Sequence, residues 1–209
     1  MIAALENGQG ADAVPRCEEW LLPDGRRVVV RSVTPEDAEL AQAFVRGLSD
    51  EARYFRFHGA FTEMPKSLLE RLMRVDHLRH VALIVVAVEN GRRVQIAEGR
   101  FAPGDAPGVA EFALVVGDRW QGFGIGRRLI RRLEGMAHDA GYFSFGGDVL
   151  RENRPMLRLA RRSGFEVAEY AGDAGLMRVE KVLDRAAAVI PARRRAVGDT
   201  VLTYGESRS

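Results

Sequence analysis

The spacing of apolar and polar positions changes period several times along the chain, and each change predicts an element. Residues 81–88 are apolar without a break, the pattern of a strand covered on both faces. Asn90-Gly91 follows, the strongest two-residue hairpin signal, and pairs that strand antiparallel with residues 94–101. Upstream, Trp20-Leu21-Leu22 and residues 28–33 flank the turn Pro23-Asp24-Gly25-Arg26 and read as another hairpin. Thr34-Pro35-Glu36-Asp37 offers an N-cap, a proline at the first helical position and acids in the first turn. Leu40, Ala41, Phe44, Val45 and Leu48 then give one helix an apolar face. A short helix starting at Ser49-Asp50-Glu51 runs into Arg53-Tyr54-Phe55-Arg56-Phe57-His58. A third helix over 65–75 turns Leu68, Leu69, Leu72 and Met73 inward.

Residues 102–108, A-P-G-D-A-P-G, form a loop, and an apolar run with Glu111 near its start follows. Residues 127–140 repeat Leu129, Ile130, Leu133, Met136, Ala137 and Ala140 on one helical face, with Arg127, Arg128, Arg131 and Arg132 on the other. Gly141 stops that helix, and residues 142–150 form a strand. A helix over 155–163, its terminal Gly164, and paired strands near 165–170 and 176–183 complete the pattern. Residues 1–16 read as a tail, as do those beyond Asp184, with Arg193-Arg194-Arg195 a solvated run. No internal repeat is visible. The order of elements is α+β, with a mostly antiparallel sheet.

Residues 109–126 read V-A-E-F-A-L-V-V-G-D-R-W-Q-G-F-G-I-G, a strand, a turn and a glycine-rich loop that opens the arginine-faced helix. Glycines at 122, 124 and 126 let bare backbone N–H groups converge where the helix dipole is positive, which favours phosphate or pyrophosphate. A P-loop would need Gly-Lys-Ser/Thr, whereas Gly126 is followed by Arg127-Arg128. A dinucleotide fingerprint would need G-x-G-x-x-G, whereas Gly124-x-Gly126 runs into Leu129.

The chain has 209 residues, 46% of them hydrophobic, enough for one core with tails. No stretch reaches the roughly 18 apolar residues of a membrane span, and the N-terminus lacks the pattern of a signal peptide. Cys17 is the single cysteine, which excludes an internal disulfide and a cysteine metal cluster. A cytoplasmic protein is the expectation. The net charge of +2 does not call for nucleic acid. Locally the balance differs, with ten arginines against five acids between Asp118 and Arg162, around the proposed phosphate site.

Gln121-Gly122-Phe123-Gly124-Ile125-Gly126 resembles the Q/R-x-x-G-x-G/A acyl-CoA loop of the GNAT acetyltransferase superfamily. Asn153-Arg154-Pro155-Met156-Leu157 with Arg162-Ser163-Gly164-Phe165 resembles the family's Asn, short helix and Gly-Phe ending. The resemblance covers about 28–183. It implies a GNAT fold, a central mixed and mostly antiparallel sheet flanked by helices, with a splayed pair of strands holding acyl-CoA. On that basis the chain divides into a tail over 1–17, an acetyltransferase domain over 18–184 and a tail over 185–209. Thr34-Pro35-Glu36-Asp37, Tyr54-Phe55-Arg56-Phe57, residues 72–76 and Glu152-Asn153-Arg154-Pro155-Met156-Leu157 look like the catalytic domain of bacterial protein-lysine acetyltransferases. Such proteins often carry a fused nucleotide-binding or acyl-CoA-synthetase-like domain, for which the sequence leaves no room, so regulation of that kind would need a separate partner.

The resemblance implies acetyl-CoA as co-substrate, held by Leu114, Val115, Val116, Gln121, Gly122, Phe123, Gly124, Ile125, Gly126, Arg127, Asn153 and Met156. A lysine with pKa near about 10.4 is protonated at neutral pH, so some group must accept its proton. Glu111 is the candidate general base, about where many family members place a catalytic Glu. At a pKa of about 4.3 a glutamate takes that proton only by a climb of roughly 8 kcal/mol, which desolvation narrows from both ends. The competing reading makes Glu111 an edge carboxylate paired to an arginine. Glu98 is the runner-up base, with Arg100 two residues on favouring a surface ion pair instead. Backbone N–H near Val115 or Val116 would polarise the thioester carbonyl. Direct attack in a ternary complex needs no covalent intermediate. One departure stands out: the family's tyrosine acid falls at Ala160, so the thiolate leaves unaided or Tyr142 or Tyr170 substitutes.

Asp76-His77 and His80 suggest a metal only weakly, and no metal is expected. His138 falls on a solvated helix face. The expected function is an acetyl-CoA-dependent N-acetyltransferase acting on a protein lysine, as a monomer or homodimer, with neither nucleic acid nor membrane as partner. A small-molecule amine acceptor and a catalytically silent acyl-CoA-binding regulator are the alternatives.

Overall fold

The computed structural model describes residues 17–59 and 61–183. The tail residues 1–16 and 185–209, with Arg193-Arg194-Arg195, lie outside the described residues. In chain order the elements are β1 (Glu18–Leu21), β2 (Arg27–Ser32), α1 (Ala38–Arg46), α2 (Asp50–Phe57), α3 (Lys66–Met73), β3 (Val81–Glu89), β4 (Arg92–Pro103), β5 (Val109–Val116), α4 (Ile125–Asp139), β6 (Ser144–Leu150), α5 (Arg154–Arg162), β7 (Glu166–Glu169) and β8 (Leu176–Val182). A short 3-10 turn, Pro35–Asp37, leads into α1, and another, Asp118–Trp120, links β5 to the glycine loop.

The strands form one sheet in the order β1-β2-β3-β4-β5-β6-β8-β7. Every pairing is antiparallel except β5 with β6. The unbroken apolar run of β3 has a simple cause. Because side chains alternate along a strand, Val81, Leu83, Val85 and Ala87 enter the core beneath α4 and α5, while Ala82, Ile84 and Val86 enter the core beneath α1, α2 and α3. Helices thus cover both faces, and each fully buried Val, Leu or Ile contributes about 1.5–3 kcal/mol. Asn90 and Gly91 both have positive φ, 49° and 76°. That is the hairpin geometry in which the turn's twist matches the strands.

Two irregularities position the site. The β3/β4 register shifts between Val85 and Val86, so that Val86 pairs with Gln95 and Val85 with Ala97, leaving Ile96 as a bulge. Its carbonyl accepts from the Gly117 amide at 2.8 Å, which fixes the end of β5. The second irregularity is the fork between β5 and β6. These strands pair only through Val109 with Ser144, Ala110 with Phe145 and Glu111 with Gly146. Beyond Glu111 they diverge, while β5 stays paired to β4 as far as Val116. The β6-facing backbone of residues 112–116 is left as an open strand edge.

No helix among the described residues is long and apolar enough to cross a membrane.

Candidate active site

The glycine loop lies at the mouth of the fork. Gly122 and Gly124 adopt left-handed φ of 83° and 81°, a conformation costly for a residue with a Cβ. Gly124 is the N-cap of α4, and no side chain caps that helix. The first-turn amides of an α-helix have no intrahelical partner, so here they point into the cavity with the positive end of the helix dipole behind them. The Gln121 amide side chain donates to Val116 O at 3.2 Å and ties the loop to the strand.

A cavity of about 450 Å³ occupies the fork, walled by the open edge of β5, the glycine loop, α2 and α5. Eleven of the twelve residues expected to hold the cofactor line it: Leu114, Val115, Val116, Gln121, Gly122, Gly124, Ile125, Gly126, Arg127, Asn153 and Met156. Phe123 lies outside, packed against the core with the Arg26 guanidinium 4.7 Å from its ring centroid. Asn153 is the N-cap of α5 and accepts from the Met156 amide at 3.1 Å. The cavity also collects Arg158 and Arg162 from α5. Their four-residue spacing puts both on one helix face, a signal the sequence carried without its target being legible.

A second, inner cavity of about 80 Å³ adjoins the first, sharing Phe55, Arg56, Leu114, Asn153 and Met156 with it. Its further walls include His58, Glu111, Gly147 and Asp148. Glu111 sits at the last β5/β6 pair before the strands part, on the face covered by α2. Arg178 of β8 donates to Glu111 Oε1 at 3.1 Å and to Asp148 Oδ1 at 3.0 Å. Gly146 lies beside this side chain: a Cβ there would clash with Val179 O at 2.7 Å and crowd Arg178 Nη2 at 3.2 Å. The hydrogen bond and charge of Asp148, with Glu111 behind them, outweigh burial and raise the Arg178 pKa. Glu111 is therefore arginine-paired and cavity-lining at once.

Glu98 differs from the surface pair expected. It is 3% exposed, on the sheet face under α2 and α3, with Arg100 Nε at 2.5 Å and Arg56 Nη2 at 3.2 Å. Burial works to raise its pKa, but the charges of Arg100 and Arg56 prevail and hold the carboxyl below the usual range. The carboxylate is clamped between two guanidiniums, and Glu98 lines neither of these two cavities. The expected pair with Arg100 is present but buried, because Arg56, 42 residues away in sequence, completes it.

Ala160 is fully buried in the core. Tyr142 packs edge-on against Phe101 at 5.9 Å, and neither it nor Tyr170 lines either of these two cavities. Asp76 accepts from the amides of Leu78, Arg79 and His80 and from the His80 ring, so it organises a turn. Its carboxyl is strongly acidic: burial opposes this, but those bonds, led by the His80 amide, prevail. No group of three or more potential ligands among the described residues is placed to hold a metal ion.

Comparison with known proteins agrees with this geometry. The family model described as Acetyltransferase (GNAT) family matches residues 43–165. Acetyltransferase PA5475 of Pseudomonas aeruginosa is 31% identical over 150 residues, 71% of this chain and 81% of that protein. Acetyltransferase Pat of Mycolicibacterium smegmatis is 33% identical over 141 residues, 67% of this chain but only 41% of that longer protein. The crystal structure of the GNAT domain of S. lividans PAT superposes with a TM-score of 0.71 at 27% identity, covering 79% of this chain and 96% of that one.

Proposed function

The chain belongs to the GNAT acetyltransferase family and is an acetyl-CoA-dependent N-acetyltransferase, and we propose that its acceptor is a lysine side chain of a protein. The observation that carries this reading is the smaller cavity, about 80 Å³ with Glu111 and Asp148 on its wall, which shares lining residues with the larger one. A lysine presents a slim alkyl stem and a cationic tip, which suits a small cavity with two carboxylates in its wall.

In this reading the amides of the glycine loop and the first turn of α4, with Arg127, hold the diphosphate of acetyl-CoA. The open edge of β5 pairs with the peptide-like arm of the cofactor as an added strand would. Arg158 and Arg162 supply further positive charge at the same cavity. An N–H near Val115 or Val116 polarises the thioester carbonyl. Glu111 accepts a proton from the acceptor nitrogen, and Arg178 holds that carboxylate in place from behind. Attack is direct, in a ternary complex, and the thiolate leaves unaided, as suits a thiol pKa near about 8.5.

The test is CoA release from acetyl-CoA with three acceptors: an end-blocked lysine peptide, a mixture of folded proteins, and spermidine. Turnover on the peptide and proteins, with acetyl-lysine found by mass spectrometry, is expected. Turnover on spermidine alone overturns the choice of acceptor. Tight acetyl-CoA binding with no turnover on any of them favours a silent acyl-CoA-binding regulator.

A further inference from the structure

We infer that His58 is a catalytic proton carrier of the acceptor pocket, taking the first proton from the incoming ammonium and passing it to water. This rests on the amine-acetylating reading above. His58 lines the inner cavity together with Glu111 and Asp148, so it meets whatever enters there.

The chemistry demands a second proton acceptor. Forming an amide from R–NH3+ removes two protons from nitrogen, one of which ends on the CoA sulfur and one in solvent. In the first step an N–H bond of the ammonium breaks and its proton moves to the His58 imidazole, then to water. The freed lone pair forms the C–N bond at the thioester carbon while the carbonyl π pair moves to oxygen. Glu111 then takes the second N–H proton, the C=O bond reforms, and the C–S bond breaks with its electron pair leaving on sulfur. The thiolate recovers that proton from Glu111. The sum is R–NH3+ plus acetyl-CoA giving the amide, CoA-SH and H+.

The position suits this task. His58 caps α2 in the left-handed conformation, φ 50°, its amide donating to Tyr54 O at 2.8 Å, a conformation that His and Asn adopt more readily than most residues. The Tyr54 ring of its own helix lies 6.4 Å away, and the charged groups that share the cavity wall with it are Arg56 from α2, Glu111 from β5 and Asp148 from β6, the last two bonded to Arg178 from β8. Burial and the charge of Arg56 lower its pKa, with Asp148 opposing them, which keeps the imidazole neutral and able to accept at pH 7. At its ordinary pKa of about 6.5 an imidazole stands about two units closer to an amine than a carboxylate does.

The test uses the full chain with acetyl-CoA and the end-blocked lysine peptide, comparing wild type, H58N and H58G from pH 5 to 9. Asn and Gly both tolerate the positive φ, so the fold is kept. Wild-type kcat/KM for the peptide is expected to fall off on the acid side with a break below pH 6.5. H58N should lose that break and at least tenfold of rate at pH 7.5, with the KM for acetyl-CoA unchanged, and free imidazole should restore rate to H58G. If wild type turns over while the H58N profile superimposes on it, or imidazole does nothing for H58G, the inference alone is overturned. A wild type inert on peptide, proteins and spermidine alike overturns the functional reading and this inference with it.

Discussion

Ser49 is bonded twice to Asp118, through its amide at 2.9 Å and its hydroxyl at 2.7 Å. Ser49 is the N-cap of α2, also accepting from the Ala52 amide at 3.2 Å, and Asp118 opens the turn that feeds the glycine loop. Helix α2, which walls both cavities, is thereby fastened to the turn before the loop proposed to hold the cofactor. Asp118→Ala is expected to loosen that link and raise the acceptor KM about fivefold, the equivalent of one ordinary hydrogen bond of about 1 kcal/mol. Steady-state kinetics with the lysine peptide check this, and an unchanged KM shows that the two halves of the site do not depend on each other.

Glu111→Gln keeps an oxygen for Arg178 to donate to, so the β5/β8 link should persist and acetyl-CoA should bind as before. What is lost is the proposed proton acceptor, and turnover should fall by about 10²- to 10⁴-fold. Stopped-flow CoA release with calorimetric titration of acetyl-CoA separates the two quantities. A variant whose rate and pH dependence match the wild type leaves Glu111 as only the arginine-paired carboxylate that it also is.

Much of this was legible in the chain because its signals are local. The Asn90-Gly91 turn, the double-sided strand at 81–88 and the glycine loop at 122–126 each declare their backbone geometry within a few residues, and the sheet realises all of them. What stayed hidden depends on contacts between distant segments. Arg178 reaches Glu111 across 67 positions of sequence, past a position 146 that has no side chain to crowd it. Arg56 reads as one more residue of an aromatic cluster until the fold sets it against Glu98. His58 shows no function in sequence because the carboxylates of its pocket come from β5 and β6.

Gly124→Asp and Gly124→Ala divide conformation from charge. An added Cβ at Gly124 meets nothing within 4 Å, but φ is 81°, so alanine adds only backbone strain of order 1–3 kcal/mol. Aspartate adds a carboxylate at the helix N-terminus where the diphosphate is proposed to lie. Acetyl-CoA affinity should drop modestly in the alanine variant and more than about a hundredfold in the aspartate variant, since charge repulsion in a partly desolvated site exceeds strain. Calorimetry measures both. Equal losses in the two variants place the diphosphate elsewhere.

Glu98→Gln and Glu98→Ala test whether that residue builds the protein or its chemistry. The carboxylate faces two guanidiniums with 4% of its side chain exposed, and the side chains of Arg56 and Arg100 are themselves 4% and 8% exposed. Deleting it leaves two like charges buried against each other, so Glu98→Ala should cost about 3–5 kcal/mol in urea unfolding at pH 7. The pH dependence has a definite sign. Burial opposes ionisation, but Arg100 and Arg56 depress the folded-state pKa below the unfolded one, so the stabilisation is complete above the unfolded value of about 4.3 and is lost as pH falls through the folded value. Acid protonates the wild-type carboxyl and makes it resemble glutamine, so the stability gap between wild type and Glu98→Gln should close on acidification. Activity per folded molecule should hold in Glu98→Gln. A variant that stays fully stable yet loses a hundredfold of rate would move the proton chemistry from Glu111 to Glu98.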